Sequence, residues 1–467
     1  MKKVAYRIIS HKLTVYLFLY IVLFLIVGAT LLVEPTNNDS FPFLRYIIVI
    51  FASLLLTKYF LYMFLSPWNE IRQKLKQRHL SSQLTTPYRP RVTVLVPAWN
   101  EGLGVVTTIE GLLKSDYYNL EILMVDNAST DGTEINIRKL IGEHRQAVKD
   151  GLRSKEMVVK YLYQGIQGKG HALNMGLEHA TGDIILSIDA DCYIPPQTVG
   201  NFVKYFIDPS VMAAVGNVRI GNTDTILGVI QYLEFLFSFY FKKAESLVNT
   251  IYIIGGAAGA FRKDVFKQLG TYSATNITED IELSVRIQSA GMKIAYAPDA
   301  LVYTEGAVTL KGLMKQRLRW KRGRFETFSE HKHLFFSTKK QHNKLLTWLI
   351  LPLAILGELQ LSLEICFLTF LYIFSFITSD FSSFISGIVV VGSMFMVQVV
   401  FDEHRDKLWS FILLAPIGWL LFYISTYVET YALFKSVSGH LRKSEITWQK
   451  WDRQGVFTKA TDQSGIL

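Results

Sequence analysis

Long apolar runs stand at both ends of the chain, and a region of mixed character lies between them. Near the amino terminus, Leu13–Val33 carries no charge and Tyr46–Leu65 carries a single lysine. Toward the carboxyl terminus follow the apolar stretches Leu345–Phe376, Phe384–Phe401 and Leu408–Phe434. A helix that spans a bilayer needs about 20 mostly apolar residues. The pattern therefore predicts two amino-terminal spans and further carboxyl-terminal ones.

The middle of the chain alternates short apolar runs with amphipathic segments. The runs at Val92–Pro97, Glu121–Asp126, residues 157–163 and Asp183–Ile188 predict strands, and Val105–Ser115 and Gly170–Ala180 predict helices. Strands that alternate with helices indicate a mostly parallel sheet with helices on both faces. Ligands of such sheets bind outside the carboxyl ends of the strands.

Two later segments of this region have other patterns. Ile226–Leu247 is apolar but contains charged residues, so it predicts a buried or interfacial helix rather than a span. The sequence IYIIGGAAGAFR, which begins at Ile251, predicts a strand that leads into a turn rich in glycine and alanine. Glycines in a turn allow a close approach of the backbone to a ligand, although a turn without a ligand is the commoner case.

Composition and charge place the chain at a membrane. Half of the residues are hydrophobic, the formal net charge is +10, and there are only two cysteines. The basic residues crowd beside the apolar stretches, which favours cytoplasmic loops and lipid headgroups over nucleic acid as their partner. Three carboxyl-terminal spans would put the tail outside, yet its basic residues indicate the inside. Either the long first stretch, Leu345–Phe376, or the stretch that contains Pro416 is therefore split, re-entrant or partly interfacial.

Carboxylates follow the predicted strands. Asp189-Ala190-Asp191 comes directly after one strand and Asp126 ends another. Two carboxylates one residue apart suit a divalent cation that also binds phosphate oxygens, whereas the alternative is a plain strand-end turn. Thr278-Glu279-Asp280 begins a helix and, in its simpler interpretation, is only an N-cap with an acidic first turn.

Two basic motifs complete the candidate chemistry. Lys169 lies in the sequence GKGHALN at a predicted helix start, which is a natural position for a diphosphate contact. The sequence QRLRW, Gln316 to Trp320, offers a flat indole for a sugar ring and polar groups for phosphate and hydroxyl oxygens. The alternative is a basic amphipathic helix that lies on a membrane surface.

The order of these motifs carries more information than any one of them. VPAWNE, VDNASTDGT, GKGHALN, DAD, TED and QRLRW together resemble the processive, membrane-embedded family 2 glycosyltransferases, which include cellulose, chitin, hyaluronan and poly-N-acetylglucosamine synthases. The similarity runs from about Arg91 to Arg324. It implies a GT-A glycosyltransferase domain, an α/β fold, inserted between transmembrane helices and using a UDP-sugar.

The resemblance also implies roles for individual residues. The expected donor-binding residues are Ala98, Asn100, Glu101, Asp126, Lys169 and Asp189. Asp191 would bind Mg²⁺ or Mn²⁺. Asp280, with Glu279 beside it, would be the catalytic pair, Asp280 acting as the general base. Gln316, Arg319 and Trp320 would hold the pyrophosphate and the terminal sugar of the growing chain.

Two features of the sequence fit that family less closely. Trp99 stands where the family often has tyrosine. In the tail, Trp451 and Arg453 loosely resemble the gating or priming loop of hyaluronan synthases.

These inferences divide the chain into six segments. They are an amino-terminal transmembrane hairpin of two helices (1–66), a cytosolic linker (67–90), a cytosolic GT-A catalytic domain (91–307), amphipathic interface helices with QRLRW (308–344), a transmembrane channel region (345–434) and a cytosolic tail with the gating loop (435–467). Trp320 would then stand between the catalytic domain and the entrance of the channel.

The expected function is polymerisation of a UDP-sugar, foremost UDP-N-acetylglucosamine, into a β-linked exopolysaccharide that is exported across the plasma membrane. A hyaluronan-type or glucan-type product stays open, as does a non-processive transfer to a polyprenyl phosphate lipid, a group that usually lacks QRLRW. A transporter or channel with a regulatory domain is disfavoured by the intact DAD and TED motifs. The expected partners are the UDP-sugar, the growing polysaccharide and the lipid bilayer, and an accessory membrane subunit is left open.

Overall fold

The structure is a computed structural model that describes residues 42–379 and 415–442, together with residues 21, 381, 385, 392 and 398. The predicted span Leu13–Val33 lies outside the described residues except for Ile21, and most of the predicted stretch Phe384–Phe401 also lies outside them. Trp451 and Arg453 of the predicted gating loop likewise lie outside them.

The described residues form two compact units. The first contains the sheet and comprises residues 75–235, 248–353 and 432–442. The second comprises residues 42–74, 236–247, 354–379 and 415–431 and is helical.

Eight strands and eleven α-helices make up the described parts of the chain. In chain order the elements are α1 Pro42–Gln83, β1 Val92–Ala98, α2 Gly102–Leu113, β2 Leu120–Asp126, α3 Thr133–Lys149, β3 Val158–Tyr163, α4 Lys169–His179, β4 Ile184–Ser187, β5 Cys192–Tyr193, α5 Thr198–Tyr205, β6 Val211–Ile220, α6 Ile226–Leu247, β7 Gly259–Arg262, α7 Lys263–Leu269, α8 Glu279–Ser289, β8 Lys293–Thr304, α9 Leu310–Glu330, α10 Leu351–Thr378 and α11 Ala415–Leu441. A short 3₁₀ turn, Lys332–Leu334, and a π-helical turn, Leu346–Ile350, lie between α9 and α10.

The eight strands form one sheet in the order β3-β2-β1-β4-β7-β6-β8-β5. The pairs β1/β2, β2/β3, β1/β4 and β6/β8 are parallel, whereas β4/β7, β6/β7 and β5/β8 are antiparallel. The predicted mostly parallel α/β sheet is therefore confirmed, with β7 as an antiparallel insertion. Every residue of β1 and of β2 is buried, as expected for strands that are covered on both faces.

One predicted strand is wrong. The run IYII does not pair, and the strand of this region is β7, on the far side of the glycine-rich turn. Ile251 and Ile254 are buried nonetheless, and the backbone N–H of Ile254 donates to Ser284 Oγ at 2.9 Å. Hydrophobicity predicted burial correctly here, but the ladder partners of β4 and β6 are the residues of β7.

One helical prediction is confirmed, and the predicted set of membrane-spanning helices is not. The helix predicted over Ile226–Leu247 is found as α6 with the same bounds. Among the described residues, one helical stretch, Leu346–Cys366, is long and apolar enough to cross a membrane, so the multi-pass arrangement is not confirmed. Within the helical unit, Ser66 Oγ on α1 donates to the carbonyl of Tyr240 on α6 at 3.1 Å.

Candidate active site

The first group of predicted site residues meets where β1 and β2 end. Ala98 and Asp126 are register partners at the last position of these parallel strands, and the N–H of Asn127 donates to the carbonyl of Ala98 at 2.8 Å. Asn100 follows with a positive φ of 53° and accepts the Thr130 N–H on its Oδ1 at 2.7 Å. Glu101 is half-buried at the N-cap position of α2 and makes no side-chain cap there.

Asp126 is buried, and its carboxylate is held by the protein on both oxygens. Oδ1 accepts the Ser129 N–H at 2.8 Å, and Oδ2 accepts the Tyr161 hydroxyl at 2.8 Å. Burial, and then this bond to Asp126, raises the pKa of the Tyr161 phenol, which therefore remains a donor. The loop after β2 is thus fixed before any ligand arrives, which lowers the ordering cost of binding a rigid ring there.

Lys169 is placed by the glycine before it. Gly168 has φ +141°, a conformation that side-chain-bearing residues rarely adopt, and its N–H donates to Asn127 Oδ1 at 3.1 Å. The motif GKGH therefore attaches the start of α4 to the loop that follows β2, and Lys169 is the first residue of that helix.

Lys169 joins three of the predicted motifs in one cluster. Its Nζ lies 2.7 Å from Asp189 Oδ1 and 3.1 Å from Glu279 Oε1. Burial alone would lower the pKa of this ammonium group, but the carboxylates of Asp189, Glu279 and Asp280 raise it overall. Lys169 is therefore a permanent cation. Lys169, Asp189, Glu279 and Asp280 are called the carboxylate cluster below.

The two carboxylates of TED have different surroundings. Glu279 is buried, and burial raises its pKa; the charge of Lys169 opposes this rise and the charge of Asp280 adds to it. Asp280 is half-buried, and its Oδ2 accepts the Gly256 N–H at 2.7 Å while Oδ1 accepts the Ile281 N–H at 2.9 Å. These bonds fix the orientation of the Asp280 carboxylate. Since the Thr278 side chain makes no cap to α8, the interpretation of TED as a plain N-cap fails.

Gly256 and Tyr272 also belong to this site, although the sequence motifs did not predict them as site residues. A Cβ atom on Gly256 would lie 2.6 Å from Lys169 Nζ and 3.3 Å from Asp280 Oδ2, so a side chain here would displace the ammonium group of Lys169. The glycine-rich turn was the available signal. Burial, and secondly the charge of Glu279, raises the pKa of the Tyr272 hydroxyl. No sequence pattern pointed to Tyr272. Asn174 on α4 holds its backbone, because Asn174 Nδ2 donates to the Tyr272 carbonyl and Asn174 Oδ1 accepts the Tyr272 N–H, each at 2.9 Å.

Asp191, the predicted metal ligand, is hydrogen-bonded to the last residue of β8. It is buried, and its Oδ2 accepts the Thr304 hydroxyl at 3.4 Å. Asp189, two residues earlier, is engaged by Lys169 instead. A carboxylate in the loop between β4 and β5 suits a hard cation that takes its other ligands from a diphosphate.

Within the described parts of the chain, one group of three side chains has metal-like spacing, and it excludes Asp191. The ligand atoms of Glu282, Glu330 and His331 lie within 4.8 Å of one another. However, Arg286 binds both oxygens of Glu282, at 2.9 Å to Oε1 and 2.6 Å to Oε2, and His331 Nε2 lies 3.2 Å from Oε1. This group is an ion-pair network that joins α8 to the end of α9.

Helix α9, which carries QRLRW, packs directly against the start of α8, where Thr278-Glu279-Asp280 lies. A Cβ on Gly323 of α9 would come within 3.0 Å of three atoms of Thr278, so the two helices touch at this glycine. One turn further on, Asn276 Nδ2 donates to Thr327 Oγ1 at 3.2 Å and to Glu330 Oε2 at 3.4 Å. The expected general base and the expected acceptor-binding motif are therefore held by one rigid junction.

The predicted acceptor residues lie on the preceding turns of α9. Gln316, Arg319 and Trp320 are all half-buried. In the described part of the chain, the buried Oε1 of Gln316 has no hydrogen-bond partner, a cost that a ligand hydroxyl would remove. The indole of Trp320 is contacted by Arg317, whose guanidinium carbon lies 4.5 Å from the ring centroid, and by the ring of Phe235 at 6.4 Å.

A rigid polar loop after parallel strands, a lysine among carboxylates and a neighbouring aromatic helix define a class of enzyme that transfers a group from an anionic, nucleotide-like donor. Comparison with known proteins agrees with this class. Residues 90–323, half of the chain, match the model of the glycosyltransferase like family 2. The chain belongs to this family, and its sheet has the GT-A fold.

Three known proteins illustrate the similarity. Poly-beta-1,6-N-acetyl-D-glucosamine synthase of Staphylococcus epidermidis is 27% identical over 383 residues, which cover 78% of this chain and 88% of that protein. The enzyme of the same name from Staphylococcus aureus is 31% identical over 251 residues, covering 53% of this chain and 57% of that protein. A mannosyltransferase of Pyrobaculum calidifontis, solved with GDP-Man and Mn²⁺, has a TM-score of 0.50 at 21% identity and covers 83% of this chain and 99% of its own.

Proposed function

We propose that this glycosyltransferase is a processive, inverting polysaccharide synthase that polymerises UDP-N-acetylglucosamine into a β-linked exopolysaccharide and exports it. The observation that carries the proposal is the junction of α8 and α9, which joins Asp280 to the QRLRW helix through Gly323 and Thr278. A polymerase must hold the end of its product beside the base at every cycle, and a rigid junction of this kind meets that need.

The donor is assigned to the loops after β1, β2 and β4. Ala98, Asn100, Glu101 and Asp126 bind the uridine, Asp189 contacts the nucleotide, and Lys169 contacts the diphosphate. The pre-ordered loop with its paired Asp126 supports this assignment. The choice of N-acetylglucosamine is supported by the activity in the names of the two staphylococcal relatives.

The reaction is a single displacement. The acceptor hydroxyl oxygen attacks C1 of the donor sugar, the C1–O bond to the diphosphate breaks, and UDP leaves with the bonding electrons. Asp280 takes the hydroxyl proton on a carboxylate oxygen, and Lys169 neutralises charge that develops on the leaving diphosphate. Attack from the face opposite the diphosphate inverts the anomeric centre. Glu279 holds the ammonium group of Lys169 in place.

A divalent cation, Mg²⁺ or Mn²⁺, fits beside Asp191. Asp191 is buried in the loop between β4 and β5, and its hard carboxylate oxygens are the ligands that these ions take together with phosphate oxygens. When bound, the cation neutralises charge on the diphosphate as a Lewis acid.

Asp191→Ala should lower UDP binding and activity together, and a chelator should do the same to the wild type until Mg²⁺ or Mn²⁺ is restored. Activity that is indifferent to both changes would remove the metal from the proposal.

The acceptor is assigned to α9. The unpaired Gln316 Oε1 accepts a sugar hydroxyl, Trp320 stacks against the terminal sugar ring, and Arg319 contacts the pyrophosphate. A hyaluronan-type or glucan-type synthase remains the first alternative, because the residues that read the sugar are not assigned. Transfer to a polyprenyl phosphate lipid is the second, and the docking of α9 on α8 favours a polymer acceptor over it.

For the chain as a whole we propose the plasma membrane, the cytosol for residues 91–307, interface helices at 308–344 and a channel at 345–434. The remaining segments are the hairpin 1–66, the linker 67–90 and the tail 435–467 with Trp451 and Arg453. The apolar stretch Leu346–Cys366, which follows α9 in the chain, supports this order.

Export is tested with the purified chain in vesicles, which should move polymer to the side opposite the active site. Polymer that is found only on the active-site side, where added glycanase can degrade it, would refute export.

The decisive experiment is a panel of UDP-sugars offered to the purified full chain with Mg²⁺ or Mn²⁺. UDP-N-acetylglucosamine should give a high-molecular-weight product that a glycosidase specific for β-linked N-acetylglucosamine degrades. A polymer from UDP-glucose alone, or from UDP-glucuronate with UDP-N-acetylglucosamine, would change the product class. Product found only on a polyprenyl phosphate lipid would replace the polymerase by the second alternative.

A further inference from the structure

Arg317 makes a buried ion pair between two helices. Its Nη2 lies 2.5 Å from Glu234 Oε2 on α6, and the side chains of Arg317 and Glu234 are only 9% and 16% exposed. Arg317 is not among the residues assigned to ligand binding above. Buried charges are costly, so a pair in this setting needs a structural or functional reason.

The same guanidinium also stacks on the indole of Trp320. Residues three apart on a helix share a face, and the guanidinium carbon of Arg317 lies 4.5 Å from the ring centroid of Trp320. Phe235, the neighbour of Glu234 on α6, contacts the same indole with a centroid distance of 6.4 Å and an interplanar angle of 47°. Two consecutive residues of α6 therefore hold Arg317 and Trp320 together.

We infer that Arg317, oriented by Glu234, is a positioning residue that sets the plane of Trp320 for the acceptor sugar. This inference rests on the proposed function for the identity of the acceptor. A guanidinium is planar, so it can stack on a ring and bind a carboxylate at the same time, whereas a lysine ammonium is a point charge and does not stack. With Arg317 on one face of the indole, a sugar ring is directed to the opposite face.

Variants of the full-length chain separate stacking from charge pairing. Arg317→Gln removes both, and Arg317→Lys keeps the charge without the planar group. The double change Glu234→Arg with Arg317→Glu restores an ion pair between the helices but removes the cation from beside Trp320. Lys311→Gln, an exposed position on the same helix, is the control for the loss of one positive charge.

The first readout does not depend on any sugar. In chain labelled with 5-fluorotryptophan, the ¹⁹F signal of Trp320 is assigned by its loss in Trp320→Phe. We expect this signal to shift or broaden in Arg317→Gln, in Arg317→Lys and in the double variant, and to stay unchanged in Lys311→Gln. An unchanged Trp320 signal in Arg317→Lys and in the double variant would overturn the inference, whatever the wild type polymerises.

The second readout is kinetic, with UDP-N-acetylglucosamine as donor and a short oligomer of β-linked N-acetylglucosamine as acceptor. Loss of the stacked guanidinium should raise the acceptor KM about tenfold in the double variant and in Arg317→Lys, with the donor KM unchanged. Full recovery of acceptor KM in the double variant would show that Arg317 is only an ion-pair partner. A wild type that does not elongate the oligomer would contradict the proposed function, while the ¹⁹F result would still decide the position of Trp320.

Discussion

At the amino end of the sheet, the carboxylate of Glu121 is buried among donors, whereas at the carboxyl end Glu279 is buried beside one lysine and a second carboxylate. Glu121 Oε2 accepts the Thr93 hydroxyl at 2.7 Å and both the N–H and the hydroxyl of Thr181 at 2.9 Å. Lys160 Nζ donates to its Oε1 at 2.8 Å. Burial alone would raise the pKa of Glu121, but these four donors lower it to about 2.

At the carboxyl end of the strands, the pKa of the buried carboxylate is raised instead of lowered. Burial raises the pKa of Glu279, and the cation beside it, Lys169, is shared with Asp189 and Asp280. Both glutamates are buried, but Glu121 has four hydrogen-bond donors, whereas Glu279 has the shared Lys169 and a second carboxylate beside it. A carboxylate with a full set of donors stabilises the fold at neutral pH. In the carboxylate cluster, by contrast, the charges are crowded in an unfavourable arrangement. Binding of an anionic ligand or a proton transfer can change this arrangement.

The largest expected effect is at Asp280. Asp280→Asn keeps the shape of the cluster but removes the proton acceptor, so turnover should fall by about 10²–10⁴-fold while UDP binding remains nearly unchanged. Initial rates and a UDP titration measure both. Asp264→Asn, at an exposed carboxylate on α7, is the control and should keep full activity. Turnover in Asp280→Asn close to the wild-type value would show that this residue is not the base.

Next in size is the effect of removing the shared cation. Lys169→Gln leaves Asp189, Glu279 and Asp280 without their counterion, so the donor KM should rise and kcat/KM should fall by about 10²–10³-fold. Steady-state kinetics with UDP-N-acetylglucosamine test this. Lys267→Gln removes an exposed lysine that pairs only at the surface of α7 and serves as the matched variant. Equal donor KM values in the two variants would contradict the diphosphate role of Lys169.

A smaller effect, and on stability rather than rate, is expected at Glu121. Glu121→Gln replaces an ionic acceptor in a buried site and should lower the free energy of unfolding by about 1–3 kcal/mol. The activity of the folded fraction should not change, because Glu121 lies at the opposite end of the strands from the carboxylate cluster. The apparent melting temperature of the purified chain measures the loss. Glu143→Gln, at a side chain that is 61% exposed, should leave it within error.

The smallest expected effect is the pH dependence of the stability that Glu121 contributes. The folded-state pKa of Glu121 is about 2, below the value of roughly 4.3 for an unfolded chain. Its contribution is therefore fully present above the unfolded value and is lost as pH falls toward the folded one. The stability difference between wild type and Glu121→Gln should be constant at neutral pH and shrink as pH falls below about 4.3. A difference that grows on acidification would contradict the lowered pKa.

Part of this architecture could be predicted from local pattern. Mostly apolar runs predicted β1 and β2 to within one residue, and the charged positions within an apolar segment predicted α6 with the bounds that the structure has. The order of short motifs predicted the family, and the carboxyl ends of the strands predicted where polar side chains would gather. These features depend on residues that are near one another in the chain, so the sequence by itself determined them.

Long-range pairing was decided only by the tertiary structure. Hydrophobicity shows that a segment is buried but not which strand it pairs with, so β7 was expected before the glycine-rich turn and lies after it. The bonds of Lys169 to Asp189 and Glu279 and the stack of Arg317 on Trp320 against Phe235 depend on which elements are neighbours in space. The sequence determined which chemical groups the site contains. Chain packing determined which of them share a charge, because the strength of an ion pair depends on a separation of a few ångströms that no linear pattern encodes.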